Sequence, residues 1–126
     1  MLTLGSSIKI VDNSGCLYAK CLSKKGRYKY PSFNLGDSIF VVLQKWNSKK
    51  KLKRAELYIS LIIRLRFKTK RLDGSFLASS ENSGLLFNRN GKFLGTRIYG
   101  YTCREIRYGF FTKRYKNIIS LSGGTL

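Results

Sequence analysis

Segments in which apolar and polar residues alternate recur along this chain, and turn residues separate them about every ten positions. In the segment 38–45, Ile39, Val41 and Leu43 share one face, because successive side chains of a strand point to opposite faces. The predicted turns, which combine Gly with Asp or Asn, lie at 12–15, 72–75 and 88–92. This spacing predicts a mainly β fold, a small closed or partly closed barrel.

Further strands are predicted at 8–11, 16–22 and 56–68. In the segment 16–22, alternation places Cys21 and Cys16 on opposite faces, so the two cysteines are expected to point apart. Leu17, Ala19 and Cys21 are expected on the same face.

The longest predicted strand, 56–68, separates into an apolar and a basic face. The core face is expected to hold Leu57, Ile59, Leu61, Ile63, Leu65 and Phe67. The outward face is expected to hold Tyr58, Ser60, Ile62, Arg64 and Arg66. We interpret this outward face as half of a binding surface.

The end of the chain has a helical rather than an alternating pattern. Thr102, followed three residues later by Glu105, matches the pair that caps a helix start, and the helix is expected to end at 108–109. One or two further helical turns are expected within 110–117.

The 126 residues correspond to one domain. We expect a barrel over residues 1–100 and a lobe of loops and two short helices over 101–126. Apolar residues make up 43% of the chain, enough for a core, which argues against intrinsic disorder. No segment approaches the roughly 18 apolar residues of a membrane span, so no membrane partner is expected.

Positive charge is the strongest functional signal. Lys and Arg number 25 against six Asp and Glu, a net charge of +19. Such a domain repels itself unless a polyanion neutralises it, and nucleic acid is the commonest such partner.

The residue types needed for catalysis or metal binding are scarce. There is no His, which removes the usual general base and the commonest zinc ligand. Asp12, Asp37 and Asp73 could form a carboxylate cluster, but each lies in a turn where Asp bonds locally. Cys103 could have a lowered thiol pKa beside Arg104, yet no His is present to act as its base. We therefore expect no enzymatic activity, no catalytic residue, no cofactor and no metal.

Two basic segments are candidates for phosphate contact. Residues 24–30 form a basic, aromatic loop that we interpret as facing RNA. Residues 49–54 form the densest block of charge, which is either a solvated hairpin tip or a phosphate contact. The absence of a nearby acid favours phosphate contact.

The order of the motifs resembles the family of universal ribosomal protein fourteen of the large subunit, over nearly the whole chain. These motifs are V-D-N-S-G at 11–15, G-D at 36–37, R-L-D-G-S at 71–75, G-T-R-I-Y-G at 95–100, R-E-I-R at 104–107 and I-I-S-L at 118–121. The resemblance implies a five-stranded β-barrel with a C-terminal lobe of loops and two short helices. It also implies binding to large-subunit rRNA near the subunit interface, bridges to small-subunit rRNA, neighbouring large-subunit proteins and docking of a ribosome-silencing factor.

Candidate RNA contacts come from that resemblance and from the basic segments. They are Lys9, Lys24, Lys25, Arg27, Lys45, Lys49, Lys50, Lys51, Lys53, Arg54, Arg64, Arg66, Lys68, Lys70, Arg71, Arg97, Lys113 and Arg114. Tyr99, Arg104 and Arg107 are candidates for an inter-subunit or protein interface. An alternative for Arg97 is an internal pair with Glu105.

Two other functions and two locations remain open at this point. A free single-stranded RNA-binding barrel would carry exposed aromatic residues on one sheet face, whereas an RNA-modifying enzyme would need a base or cofactor site. Few Ala and many Lys, Ile, Asn, Phe and Tyr are typical of AT-rich coding sequence. With no presequence before the first strand, this composition favours a mitochondrial ribosome and an organelle gene, a plastid being the alternative.

Overall fold

The computed structural model describes residues 2–24, 32–47, 50–108 and 115–126. Its elements are β1 (Leu2–Thr3), β2 (Ser7–Ile10), β3 (Cys16–Lys24), β4 (Ser32–Phe33), β5 (Ser38–Trp46), β6 (Tyr58–Arg64), β7 (Thr69–Lys70), β8 (Phe76–Leu77), β9 (Ser83–Phe87), a 3₁₀ helix (Arg104–Tyr108) and α1 (Tyr115–Leu121).

Five of these strands close into a barrel in the order β2-β3-β5-β6-β9. Neighbours pair antiparallel except β2 and β9, whose parallel pairing joins Lys9 to Ser83 and Ile10 to Gly84. Closure removes the unpaired strand edges that would otherwise invite aggregation. The prediction of a mainly β protein built on a small five-stranded barrel is confirmed.

The alternation predicted for β5 is observed, whereas that for β3 is interrupted. Ile39, Val41 and Leu43 are buried as expected. In β3, Cys16 lies opposite Trp46 but Tyr18 lies opposite Lys45, so Leu17 is an extra residue that bulges out of the ladder. Cys16 and Cys21 are therefore both buried and Leu17 is exposed. The prediction that the two cysteines point apart is wrong.

β6 is shorter and more buried than predicted. Every residue from 58 to 63 is buried, including Tyr58, Ser60 and Ile62, while Phe67 is exposed. The predicted basic outward face is therefore wrong for those three residues, and Phe67 does not belong to the core. The Tyr58 hydroxyl lies against the preceding segment, where it accepts from the Lys53 backbone N–H at 3.0 Å.

The lobe that follows the barrel shares its core. Ile98, Cys103, Ile106 and Ile118 belong to the same buried cluster as the barrel strands. β6 is buried on both faces, as expected of a strand that is covered on two sides. None of the helices in the described part of the chain is long and apolar enough to cross a membrane.

The helices of the lobe differ from the sequence prediction. Thr102 does not cap the 3₁₀ helix: its N–H donates to Gly124 O at 2.9 Å and its hydroxyl lies 3.4 Å from Gly124 O and Ser122 Oγ. Glu105 is bonded to Arg71 instead of closing a capping box. The second helix, α1, extends to Leu121, beyond the predicted 110–117, of which 110–114 lies outside the described residues.

Gly36 lies at a close approach to the 3₁₀ helix. Its N–H donates to Ile62 O at 2.9 Å, and its φ is 81°. A Cβ added there would lie 2.5 Å from Glu105 O. Gly74 has a similar φ of 86°, but an added Cβ would meet nothing within 4 Å.

Substitutions at these two glycines distinguish the cost of backbone strain from the cost of disturbed packing. Gly74→Ala should lower the free energy of unfolding by about 1 kcal/mol, the strain of a non-Gly residue at positive φ. Gly36→Ala should cost about 2 kcal/mol more, because the new methyl group forces the 3₁₀ helix away from the barrel. Urea denaturation of both variants measures the difference. Equal losses would mean that the lobe does not pack tightly at Gly36.

Candidate nucleic-acid interface

The Asn13 side chain holds the loop that carries Arg97. Its Oδ1 accepts from the backbone N–H groups of Thr96 at 2.6 Å and Arg97 at 3.1 Å, and its Nδ2 donates to Thr96 Oγ1 at 2.7 Å. All three bonds link residues more than 80 positions apart in sequence. The loop backbone is therefore fixed from the turn after β2, while the Arg97 side chain lies exposed to solvent.

Asp12, the neighbour of Asn13, anchors the same turn in the core. Its Oδ2 accepts from the Leu86 N–H of β9 at 2.8 Å, and its Oδ1 accepts from the Ser14 N–H and the Ser14 hydroxyl. Burial raises the pKa of this carboxyl, although the bonds from Ser14 and Leu86 oppose the shift. Tyr99 N–H donates to Val11 O at 2.8 Å, which completes the connection between the 11–15 and 95–100 motifs.

A groove with a cationic rim lies beside this junction. Asn13, Lys50, Lys51 and Thr96 are among its lining residues, and we call it the Asn13 groove. The stem of Lys50 packs against Gly15, where an added Cβ would collide with it. Absence of a side chain at Gly15 thus lets Lys50 lie next to the loop that bears Arg97. The groove can accept an anion such as a phosphate.

Two arginines predicted as RNA contacts are engaged inside the protein. Arg64 Nη2 donates to Tyr99 O at 2.9 Å, and its guanidinium lies 5.3 Å from the centre of the Tyr101 ring. Arg71 donates to both carboxylate oxygens of Glu105, at 2.7 and 3.2 Å, and to Leu126 O at 2.6 Å. Both guanidinium groups therefore connect the barrel side to the lobe.

Two lysines from the predicted set form ion pairs. Lys9 Nζ lies 3.0 Å from Glu81 Oε2, and Lys24 Nζ lies 2.7 Å from Asp37 Oδ2. The Lys9 pair is the more exposed, so its charge remains accessible to a ligand.

The other predicted RNA contacts are either exposed or lie outside the described residues. Lys45, Lys50, Lys51, Lys53, Arg54, Arg66, Lys68, Lys70 and Arg97 are exposed. Lys25, Arg27, Lys49, Lys113 and Arg114 lie outside the described residues, as does most of the 24–30 loop. Tyr99, Arg104 and Arg107, predicted for an interface, are also exposed.

The alternative pairing of Arg97 with Glu105 is wrong. Glu105 bonds to Arg71, and across the described ranges Arg97 has no side-chain hydrogen bond or ion pair. The guanidinium of Arg97 is thus available to an external partner.

Sequence reasoning missed some exposed groups. Lys20, Arg89, Lys92 and Lys116 are exposed cations that belong to no basic run or motif. Tyr18 is also exposed. Because side chains alternate along β3, Tyr18 is expected on the face opposite to that of Ala19. This alternation is the sequence signal for the outward position of Tyr18.

Residues that resemble catalytic groups occupy structural positions. Burial raises the pKa of the Cys103 thiol to about 12, the reverse of activation. Asp37 and Asp73 accept backbone N–H groups of their own turns, from Asn34 and Ser75. Over the described residues, no group of three or more His, Cys, Asp or Glu could hold a metal ion.

Comparison with known proteins identifies a matching family and a similar protein. The family model of ribosomal protein L14p/L23e matches residues 1–126. The chain is also similar to the large ribosomal subunit protein uL14 of Carsonella ruddii (strain PV), with 33% identity over 115 residues, which cover 91% of each chain.

The pairing of Arg71 with Glu105 predicts a pH-dependent stability. Burial raises the pKa of Glu105, but the bonds from Arg71 and the backbone outweigh it, so the pKa lies below the ordinary 4.5. The stabilisation is therefore present above that value and is lost as the pH falls through the lower native pKa. Glu105→Gln should cost about 1 kcal/mol at neutral pH and less in acid.

Urea denaturation across this pH range measures that difference. Glu81→Gln is the control, because its partner Lys9 is more exposed and the loss should be smaller. An equal cost of Glu105→Gln at neutral and acid pH would show that the ion pair contributes nothing.

Proposed function

The chain belongs to the ribosomal protein L14p/L23e family, and from that premise we propose that it binds large-subunit rRNA and contributes to inter-subunit bridges. It is a structural, non-enzymatic constituent of the large ribosomal subunit. The resemblance inferred from the order of the motifs is confirmed.

The observation that carries the proposal concerns the carboxylates. Each of the six acidic residues accepts a hydrogen bond or forms an ion pair within the fold, as the contacts of Asp12, Asp37, Glu56, Asp73, Glu81 and Glu105 show. The 25 cations exceed these six acids by 19, and this excess charge has to be neutralised from outside. A phosphate backbone supplies that charge in a continuous array.

We assign the RNA contacts primarily to the exposed cations around the Asn13 groove. Lys50, Lys51 and Thr96 line the groove, and the exposed Lys53 and Arg97 lie close to them in sequence. Arg66, Lys68 and Lys70 add exposed cations in the segment after β6. Arg64 and Arg71 instead hold the lobe in place, which positions the exposed residues indirectly.

The lobe side is the surface we propose for other partners. Tyr99, Arg104 and Arg107 are exposed, and Arg64 donates a hydrogen bond to the carbonyl of Tyr99. Small-subunit rRNA at a bridge, a neighbouring large-subunit protein and a ribosome-silencing factor are the proposed partners of this side.

We propose a mitochondrial ribosome as the location, on the basis of the AT-rich coding bias. The similar uL14 protein of Carsonella ruddii is bacterial. Locating the gene in an organelle, nuclear or bacterial genome tests this part of the proposal directly.

Salt dependence tests phosphate binding. The affinity of the full chain for a large-subunit rRNA fragment should fall steeply with salt, because each neutralised phosphate releases counterions. Replacing Lys50, Lys51 and Lys53 together with Ala should reduce the slope of log K against log salt by about two. Unfolding should change little, because these side chains are exposed.

The matched control replaces the same three lysines with Arg, which keeps their charge and should keep the slope. Filter binding over a salt series measures all three proteins. A flat salt response of the wild-type protein would contradict the proposal.

Arg97→Lys tests the contact that the Asn13 clamp positions. A guanidinium binds phosphate or a base edge through two parallel N–H groups, which an ammonium cannot reproduce. Incorporation into large subunits should fall several-fold while the melting temperature is unchanged. Arg89→Lys, an exposed arginine in the turn after β9, is the control and should incorporate normally. Co-sedimentation measures incorporation, and a melting temperature lowered in proportion would make Arg97 structural.

A further inference from the structure

A row of outward-facing residues crosses three adjacent strands of the barrel. Lys9 of β2 lies directly opposite Tyr18 of β3, and Tyr18 lies directly opposite Lys45 of β5. Directly opposed residues have Cβ atoms about 5 Å apart. An aromatic ring is thus placed between two lysines on the outside of the barrel, and Tyr18 is 43% exposed.

The irregularities in the β3–β5 pairing set this position. Leu17 is an extra residue on β3 before Tyr18, and Gln44 is an extra residue on β5 between Leu43 and Lys45. Bulges re-aim side chains and increase the local twist. Both Leu17 and Tyr18 consequently face solvent, although consecutive strand residues normally face opposite ways. Across the described residues, the Tyr18 hydroxyl has no hydrogen-bond partner.

A polar cleft of about 270 Å³ adjoins the ring. Lys9, Arg66 and Asn82 line it together with Tyr18. Asn82 Oδ1 accepts from the Arg66 N–H at 2.9 Å, and its amide Nδ2 has no hydrogen-bond partner among the described residues. Lys20 lies two residues along the same strand on the outward face, so four cations surround the ring, against the single carboxylate of Glu81.

This combination favours RNA over a protein as the occupant. Protein interfaces are depleted in Lys at their centre, where desolvating an unpaired ammonium is costly. Single-stranded RNA satisfies both features, because a base stacks on an aromatic face while adjacent phosphates neutralise the cations.

We propose that Tyr18 stacks on an unpaired base of RNA, with Lys45, Arg66 and Lys20 on the phosphates that flank it. The inference rests on the proposed RNA-binding function and adds a second mode of contact to it. The Asn13 groove binds phosphates of both single-stranded and double-stranded RNA, whereas the Tyr18 face requires a base that is free to unstack.

The test uses the full chain, an unstructured RNA of about ten nucleotides carrying one 2-aminopurine, and a blunt RNA duplex. Tyr18→Ala should lower affinity for the single strand about tenfold and leave duplex affinity unchanged. Tyr18→Phe keeps the ring and should bind within about twofold of wild type. Stacking should quench 2-aminopurine fluorescence in the wild-type and Phe proteins but not in the Ala protein.

Leu17→Ala is the control, because Leu17 is the exposed neighbour of Tyr18 in β3 but carries no ring that could stack on a base. It should bind the single strand as wild type does. Melting temperatures of all variants should agree, since neither side chain is buried.

The results distinguish the proposal that Tyr18 stacks on a base from the more general proposal that the protein binds RNA phosphates. If the wild type binds RNA with a steep salt response but Tyr18→Ala binds the single strand equally well, stacking is wrong and phosphate binding stands. Equal losses for single strand and duplex would also overturn stacking. If the wild type binds neither RNA, both proposals fail.

Discussion

The buried carboxylate of Asp12 is the interaction on which the arrangement of the 11–15 and 95–100 loops depends. It accepts the Leu86 N–H of β9 while its own residue pairs with Ile98 in an isolated bridge. β9 closes the barrel against β2, so one side chain joins the closing strand, the turn after β2 and the loop before the lobe. Removing an acceptor from a buried site leaves N–H donors unsatisfied, which costs about 1–3 kcal/mol for each. The position of the Arg97 loop therefore depends on this buried hydrogen bond.

Acidic residues of this protein form ion pairs within the fold. Internal ion pairs engage Lys9, Lys24 and Arg71 with Glu81, Asp37 and Glu105. Two of the three pairs connect segments far apart in sequence, so the few acids stabilise tertiary structure instead of balancing the surface. In the free protein, the remaining cations repel one another, and this repulsion lowers the stability of the fold. Binding a polyanion relieves that repulsion and is thereby coupled to folding stability.

Much of the fold could be predicted from local pattern, but contacts between distant segments could not. Ile39, Val41 and Leu43 follow simple alternation, and the turns at 71–75 and 88–92 form where Gly with Asp or Asn predicts them. The bulge at Leu17 has no signature in a two-residue period, so Cys16 was placed on the wrong face. Arg64 and Arg71 resemble surface cations in sequence, since their partners lie 35 and 34 residues away. The motifs predicted the Asn13 and Arg97 loops separately, and the hydrogen bonds between them required the structure.

The attachment of the lobe explains why similar arginines serve different purposes. Arg64 extends from the end of β6, and Arg71 begins the turn between β7 and β8, so both can reach carbonyl or carboxylate oxygens of the lobe. Arg97 lies in a loop whose backbone is already held by Asn13, and no carboxylate is left for it. The lobe therefore presents Tyr99 and Arg104 on a support made partly of charge-assisted hydrogen bonds, which are directional and stronger than neutral ones. An apolar contact alone would let that surface slide, because hydrophobic association is not directional. Orientation of the proposed interface thus depends on two guanidinium groups that themselves need no contact with RNA.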